Sequence, residues 1–295
     1  MPKASILLYN NDMGIFGFLN FNKKKNQHKP KVPYRLGLAL SGGGAKGFAH
    51  IGVLRALEET NLDFDIVTGT SVGSLVGALY CAGVNSFQME EFGKKLKTTD
   101  VLDKKLLITP SKSKNIESLL VGWIGEISFD KLSKKFACCA TDIVSGEEIV
   151  LMEGSVPFAV SASCSAPIFF DGVDKDGMRL FDGGMTNNLP ADLARRMGAD
   201  IVVGVTLSNT GTEGTEKRNI LSVAKASFAI ISKSTSLKGV LNSDVLISPV
   251  LVGKKSSKLE GEQSIDEMIL AGYNSAKEQI PHLLDLIGVK QKQLK

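Results

Sequence analysis

The chain has 295 residues, of which 43% are hydrophobic and 22% are charged, a composition that allows a sizeable core and argues against wholesale disorder. Its formal net charge of +4 is too small to indicate a nucleic-acid-binding protein. The 4 cysteines have neither disulfide nor metal-site spacing, and the 3 histidines restrict the chemistry that a catalytic site could use.

Residues 1–33 differ in composition from the rest of the chain and form a leader. Within it, residues 13–21 are largely apolar, and lysines occupy positions 23–25. Such a segment is either a disordered tail or an interfacial anchor, and in the second case we expect peripheral membrane contact through residues 13–25. The sequence has no apolar stretch of about 18 residues and no secretory signal, which predicts a cytoplasmic protein with any membrane contact at the inner face.

Past the leader, short apolar runs alternate with helical patterns. Residues 36–40 are an apolar run of strand length, residues 65–69 form a second short strand, and helical patterns follow them over residues 48–57 and 71–82. The first helix has apolar residues at every third position, whereas the second is apolar on nearly every side and should be buried. Strands and helices in this order predict a parallel sheet with right-handed crossovers.

The remaining elements complete a single domain that we expect to span residues 34–295. An irregular helical stretch comes first and is followed by a hairpin that turns at Ser145 and Gly146. In chain order the predicted elements are helices within 86–135, hairpin strands 136–142 and 148–152, helix 156–163, strand 178–181, helix 191–197, strand 201–207, helix 220–232, strand 245–250 and helix 264–286.

The first motif is the glycine cluster GGGAKG at residues 42–47, between a predicted strand and a predicted helix. Glycines there let backbone N–H groups approach a ligand closely, and the helix dipole favours negative charge. The string matches the dinucleotide fingerprint and is also compatible with an oxyanion hole for acyl transfer. A nucleotide site needs an acid at the end of the second strand, but Asp63 lies before that strand and Asp65 is its first residue. The cluster alone does not decide between the two uses.

The second motif is GTSVG at residues 69–73, again between a strand and a helix. In a G-x-S-x-G turn the serine hydroxyl projects above the sheet, and the flanking glycines relieve crowding. Ser71 is therefore a candidate nucleophile, with the N-terminus of the following helix stabilising developing negative charge. The alternative is that Ser71 only caps this helix, since serine is a favoured N-cap residue.

The third motif is Asp182 followed by two glycines, directly after the predicted strand 178–181. Asp-Gly pairs are common in turns, and this region holds two others, at Asp171 and Asp176. Asp176 suits a hairpin turn, whereas Asp182 closes a strand, which is where open α/β sheets place functional groups. Asp182 is therefore the candidate base for Ser71.

A histidine-based triad is the competing arrangement. The chain order Ser71, Asp182, His282 is that of α/β-hydrolases. However, His282 lies within a predicted C-terminal helix with no strand leading into it, and the serine turn follows the second strand, which is early for that fold. His50 lies on the helix after the glycine cluster, where we expect a packing or capping role. An aspartate can serve as the base instead if burial raises its pKa from about 3.9.

The motifs together resemble those of the patatin-like phospholipases, in the same order along the chain. The four motifs lie at residues 42–47, 69–73, 162–167 and 182–184. The segment 182–190, DGGMTNNLP, is similar to the bacterial branch of that family. The resemblance covers about residues 35–208, and no matching motif occurs in the leader or after residue 208.

The resemblance implies a three-layer α/β/α sandwich with a mostly parallel central sheet. It also implies a lipid acyl hydrolase of the phospholipase A or lysophospholipase type, with an acyl-enzyme intermediate on Ser71 and Asp182 as the base. The backbone N–H groups of Gly42, Gly43 and Gly44 would form the oxyanion hole. The expected partner is an acyl lipid and not a nucleic acid, and neither calcium nor an organic cofactor is implied.

Two other functions remain open at this point. One is a catalytically silent lipid-binding scaffold that keeps the same fold. The other is a nucleotide-binding protein that uses the glycine cluster for phosphate contacts.

Overall fold

The computed structural model describes residues 34–102, 110–208, 220–251 and 264–293, which form a mixed sheet flanked by helices. The leader predicted for residues 1–33, with its membrane contact through 13–25, lies outside these ranges. None of the helices in the described part of the chain is long and apolar enough to span a bilayer.

The strands and helices follow the predicted order closely. The strands are β1 (Leu36–Leu40), β2 (Ile66–Thr70), β3 (Lys135–Asp142), β4 (Glu148–Leu151), β5 (Val173–Lys175), β6 (Met178–Asp182), β7 (Ile201–Val205) and β8 (Val245–Ile247). The helices are α1 (Phe48–Glu58), α2 (Val72–Cys81), α3 (Ser86–Lys95), α4 (Thr98–Val101), α5 (Lys114–Ile124), α6 (Val156–Ser163), α7 (Ala191–Arg196), α8 (Ile220–Leu241) and α9 (Ile265–Gln293).

The described strands form an 8-stranded sheet in the order β5-β6-β3-β2-β1-β7-β8, with β4 also paired to β3. The pairs β1–β2, β1–β7, β2–β3 and β7–β8 are parallel, whereas β4, β5 and β6 pair antiparallel. The prediction of a mostly parallel central sheet in a three-layer fold is therefore confirmed. Strand β5 was not predicted, although the hairpin turn at Asp176 was.

Successive side chains of β1 point to opposite faces of the sheet, and each face is covered by its own layer of helices. Leu38 and Leu40 belong to the large core that the sheet shares with α1, α2 and α9. Ala39 points to the other face and packs against α7. Small residues on this second face let α7 approach closely, and a Cβ at Gly37 would lie 3.3 Å from the Cβ of Ala194. The sheet is thus covered by helices on both faces.

Helix α8 is longer than predicted. Its expected end is residue 232, but the next nine residues, up to Leu241, are also helical. The sequence SKSTS at residues 232–236 suggests a helix end, since small hydroxyl residues compete for backbone hydrogen bonds. Here Ser236 donates to the Ser232 carbonyl at 2.8 Å, and Thr235 donates to the Gly184 carbonyl at 2.8 Å. The Thr235 hydroxyl is satisfied by the loop after β6 and the Ser236 hydroxyl by the helix itself, so neither residue ends the helix.

Candidate active site

Ser71 lies on a strained turn between β2 and α2, with φ of 53° and ψ of −130°. A positive φ is unusual for a residue with a Cβ and costs about 1–3 kcal/mol, so it persists only where the surrounding structure holds it. The side chain is partly exposed, whereas both neighbouring elements are buried. This is the geometry expected for a serine that is lifted out of the sheet between a strand and a helix.

The two flanking glycines let this turn press against the end of β1. A Cβ at Gly69 would lie 2.5 Å from the carbonyl oxygen of Gly73, and a Cβ at Gly73 would lie 2.2 Å from the carbonyl oxygen of Leu40. Neither position can hold a larger residue without a backbone shift. The close approach brings Ser71 next to the glycine cluster that follows Leu40.

The backbone of Ser71 is fully engaged, but its hydroxyl does not cap α2. Its N–H donates to the Ser163 Oγ at 3.0 Å, and that hydroxyl donates onward to the Cys139 carbonyl at 2.7 Å. The Ser71 carbonyl accepts the N–H of Ser74 at 2.8 Å, and the Ser71 side chain makes no capping hydrogen bond. The capping alternative therefore does not explain this serine, and its hydroxyl remains available.

Asp182 ends β6 and is 1% exposed. Its Oδ1 accepts the N–H of Gly184 at 2.8 Å, its own N–H donates to the Ser165 carbonyl at 3.0 Å, and its carbonyl accepts from Thr141 Oγ1 at 3.1 Å. Among the described residues, Oδ2 has no partner with hydrogen-bond geometry. The backbone of Asp182 is thus fixed on both sides, while one carboxylate oxygen has acceptor capacity to spare.

Burial raises the pKa of Asp182 to about 6, although the Ser71 hydroxyl and the Gly184 N–H each lower it. The Ser71 hydroxyl is therefore close enough to interact with the carboxylate, yet Oδ2 lacks a well-aligned hydrogen bond. We interpret this as a long or poorly aligned contact, which is common between a nucleophile and its base before substrate binds. The structure brings Ser71 and Asp182 together from distant parts of the chain.

The three glycines predicted for the oxyanion hole differ in their surroundings. The N–H of Gly42 donates to the Asn188 carbonyl at 3.1 Å, so it is already used within the protein. For Gly43 and Gly44, no acceptor for the backbone N–H is found in the described part of the chain. A Cβ at Gly42 would lie 3.2 Å from the Ser71 Cβ, which places the cluster directly beside the serine. Gly42 therefore positions the loop, and only Gly43 and Gly44 keep donors for a ligand.

His50 on α1 fixes the start of the glycine cluster. Its Nε2 lies 2.8 Å from the Ser41 carbonyl and must carry the proton, because a carbonyl only accepts. Complete burial lowers the pKa of His50 to about 4, while the bond to Ser41 raises it, so the ring is neutral near pH 7. The Ser41 hydroxyl accepts the Leu207 N–H at 2.9 Å and donates to the Gly42 carbonyl at 3.1 Å. His50 binds the carbonyl oxygen of the Ser41–Gly42 peptide, and the Asn188 carbonyl accepts its N–H, so this peptide is held at both ends. The predicted packing role of His50 fits this position.

Two other residues that could act as a base or a nucleophile, His282 and Cys164, are not part of the Ser71–Asp182 arrangement. His282 is exposed on α9, which packs against α1, and it makes no hydrogen bond to Ser71 or Asp182. Cys164 lies 3.8 Å from the Ser74 hydroxyl, but burial and the nearby Asp182 charge raise the pKa of its thiol well above the usual value. The thiol is therefore protonated and a poor nucleophile.

The sequence interpretation missed several residues that support the site. Ser163 and Ser165 belong to the motif at 162–167, whose sequence assigns no role to either residue. Asn188 accepts the Gly42 N–H through its carbonyl, and its side chain donates to the Ser236 hydroxyl on α8 at 3.0 Å. Their presence in a motif was the available signal. Their roles depend on contacts between segments far apart in the chain, which no local pattern reveals.

The family model described as "Patatin-like phospholipase" matches residues 38–195, which is more than half of the chain. Among curated proteins, the mouse "Patatin-like phospholipase domain-containing protein 6" is 39% identical over 181 residues, covering 58% of this chain and 13% of that protein. The Drosophila melanogaster "Neuropathy target esterase sws" is 34% identical over 179 residues, with the same coverages of 58% and 13%. An uncharacterised NTE family protein of Mycobacterium tuberculosis is 30% identical over 183 residues, covering 60% of this chain and 50% of that one.

Among solved structures, VipD from Legionella pneumophila has a similar fold. The TM-score is 0.58 at 15% sequence identity, and the match covers 84% of this chain and 67% of that one. The chain spans half or less of the length of the curated relatives named above. The comparisons therefore concern one domain that those longer proteins share with it.

Proposed function

Since the chain belongs to the patatin-like phospholipase family, we propose that it hydrolyses acyl esters of lipids through a Ser71–Asp182 dyad, as a phospholipase A or lysophospholipase does. The observation that carries the proposal is the strained Ser71 beside a buried carboxylate whose Oδ2 lacks a well-aligned partner. The esterase named in the Drosophila relative supports the same class of reaction. The two alternatives, a silent scaffold and a nucleotide-binding protein, leave this pairing without a purpose.

In the first half-reaction, Asp182 accepts the proton of the Ser71 hydroxyl as the Ser71 Oγ attacks the ester carbonyl carbon. The carbonyl oxygen becomes an oxyanion, to which the N–H groups of Gly43 and Gly44 can donate. The N-terminus of α2 adds a favourable dipole at the same place. Collapse of this intermediate expels the alcohol, which takes the proton from Asp182 and leaves an acyl ester on Ser71.

In the second half-reaction, Asp182 removes a proton from a water molecule that attacks the acyl-Ser71 ester. The fatty acid leaves, and the proton returns from Asp182 to the Ser71 oxygen. Both carboxylate roles require an ionised Asp182 at the start of each step. With a pKa of about 6, the carboxylate is mostly ionised at neutral pH and is a stronger base than an ordinary aspartate.

The proposal includes no metal ion, because the resemblance implies a calcium-independent reaction. Every proton transfer that it contains uses Ser71, Asp182 or the substrate water. We therefore expect full activity in the presence of a calcium chelator such as EGTA. Loss of activity that calcium alone restores would contradict this part of the proposal.

A lipid panel read by mass spectrometry tests the function most broadly. We expect the native protein to release fatty acid from at least one class of phospholipid, lysophospholipid or neutral lipid, and Ser71→Ala to release none. Ser145→Ala is the matched control, because Ser145 lies in the β3–β4 turn, where its hydroxyl donates to Asp142 at 2.8 Å. Retained hydrolysis by Ser71→Ala would refute the proposal, and tight lipid binding without hydrolysis by the native protein would favour the scaffold.

A further inference from the structure

Helix α8 presents an apolar stripe to solvent. The α8 stripe consists of five side chains that are more than half exposed, namely Ile220 (89%), Val223 (56%), Ile230 (62%), Leu237 (62%) and Leu241 (86%). Their spacings of three, four and seven residues place them on one face of the helix. Exposed apolar side chains repeated along one helix face are unusual on a protein surface and mark an interaction site.

The opposite face of α8 is anchored to the candidate active site. Thr235 donates to the Gly184 carbonyl at 2.8 Å, two residues after the candidate base. Ser236 accepts from the Asn188 side chain at 3.0 Å. A Cβ at Gly239 would lie 1.9 Å from the Leu189 carbonyl oxygen, so the helix packs tightly on this loop. The C-terminal half of the α8 stripe is therefore separated from this loop by the width of the helix.

The charge of α8 indicates what the stripe contacts. The charged residues of the helix are Lys225, Lys233 and Lys238, and its sequence contains no aspartate or glutamate. All three lysines are exposed, and Lys238 also pairs with Asp192 at 2.6 Å. A second copy packed helix against helix would bring lysines together with no acid on α8 to pair them. An anionic lipid surface accepts the apolar side chains and at the same time attracts Lys233 and Lys238, which flank the stripe on the helix surface.

We propose that α8 is a bilayer-docking helix, whose stripe inserts among the acyl chains of an anionic membrane surface beside the Ser71 site. The purpose of this docking, delivery of an acyl lipid to the site, rests on the proposed function. The docking itself does not, because it depends only on the exposed side chains and lysines of α8. The two ideas can therefore fail separately.

The test measures vesicle binding in the Ser71→Ala background, so that no hydrolysis alters the lipid. The probes are vesicles of phosphatidylcholine alone and vesicles with one-third phosphatidylglycerol. Leu237→Glu and Ile230→Glu each place a carboxylate on the stripe, and both positions are exposed enough that folding should be retained. Leu270→Glu is the matched control, because Leu270 is 57% exposed on α9, in the helical layer on the other side of the sheet.

We expect binding to depend on phosphatidylglycerol and to fall by at least about tenfold in Leu237→Glu and Ile230→Glu, but not in Leu270→Glu. In the active protein, the same two substitutions should lower hydrolysis of vesicle lipid and leave hydrolysis of a soluble nitrophenyl ester unchanged. Absence of vesicle binding, or equal losses in Leu270→Glu, would overturn the proposal. A dimer that Leu237→Glu dissociates without changing vesicle binding would identify a second copy as the occupant instead. A native protein that binds vesicles but hydrolyses no ester would refute the proposed function and leave the docking intact.

Discussion

Replacing Asp182 with asparagine should stabilise the protein at neutral and alkaline pH while abolishing its activity. Burial raises the folded-state pKa of Asp182 from 3.8 to about 6, so the ionised carboxylate is unfavourable inside the fold. A shift of about two units corresponds to about 3 kcal/mol, since one unit is about 1.4 kcal/mol. Asparagine has no charge to desolvate, and its side-chain oxygen can still accept the N–H of Gly184.

The pH dependence follows from the direction of the shift. Between about pH 4 and pH 6 the folded state holds a proton on Asp182 that the unfolded state has lost, so folding stability falls as pH rises through this range. The full penalty is present above about pH 6, and it vanishes below about pH 4. The stability advantage of Asp182→Asn should therefore be about 3 kcal/mol larger at pH 8 than at pH 4.

Urea unfolding of both proteins at pH 4, 6 and 8 measures this difference, provided that the m-values agree. Asp192→Asn is the control with the opposite sign. Burial raises the pKa of Asp192, but hydrogen bonds from Lys238 and Asn187 outweigh this and lower it overall. That variant should lose stability at pH 8 and lose less at pH 4. An advantage of Asp182→Asn that does not change with pH would refute the assignment of a buried, raised-pKa carboxylate.

Three further predictions concern the same site. The kcat/KM for a soluble ester should rise with pH to a plateau, with an apparent pKa of about 6, because the base must be ionised. A flat profile from pH 5 to 8 would argue against Asp182 as the base. Ser163→Ala leaves the Ser71 N–H without its acceptor and removes one donor to the Cys139 carbonyl. Urea unfolding should therefore show a loss of about 1–3 kcal/mol, together with a lower kcat. Gly42→Ala puts a Cβ 2.4 Å from the Asn188 Oδ1, and steady-state kinetics should show kcat reduced by about tenfold or more. An unchanged kcat would mean that the glycine cluster can be displaced without harm to catalysis.

The sequence was most informative where local patterns determine structure. Apolar runs and helical spacing predicted β1, β2, α1 and α2, and the glycines around Ser71 indicated a turn that only glycine permits at two positions. The Asp176 hairpin turn was also local, and Asp176 does adopt a positive φ of 50°. In each case the physical cause lies within a few residues of the feature.

The location of Asp182 was predicted with an incomplete reason. The rule that functional groups gather at the carboxyl ends of strands concerns parallel strands, but β6 runs antiparallel to β3. Strand β3 is long, and β6 pairs with the C-terminal end of β3, so that Asp182 lies opposite Ala140. This pairing brings Asp182 to the site. The pairing of Thr70 with Cys139 then places the end of β2 at a similar level.

The roles of individual glycines and of the supporting residues could not be predicted. Nothing in the string GGGAKG distinguishes Gly42, whose N–H is taken by Asn188, from Gly43 and Gly44. The His50 contact with Ser41 joins a helix to the strand end before it, and it depends on how α1 packs in the core. Such assignments require the three-dimensional arrangement, because the partners are specified by packing.

The identity of the nucleophile is the central claim, and covalent labelling tests it most directly. A fluorophosphonate probe should modify the native protein once, and peptide mapping should locate the modification on Ser71. Ser71→Ala should remain unlabelled, and Asp182→Asn should react much more slowly because the hydroxyl has lost its base. Modification of another residue, or no reaction in the correctly folded native protein, would contradict the account.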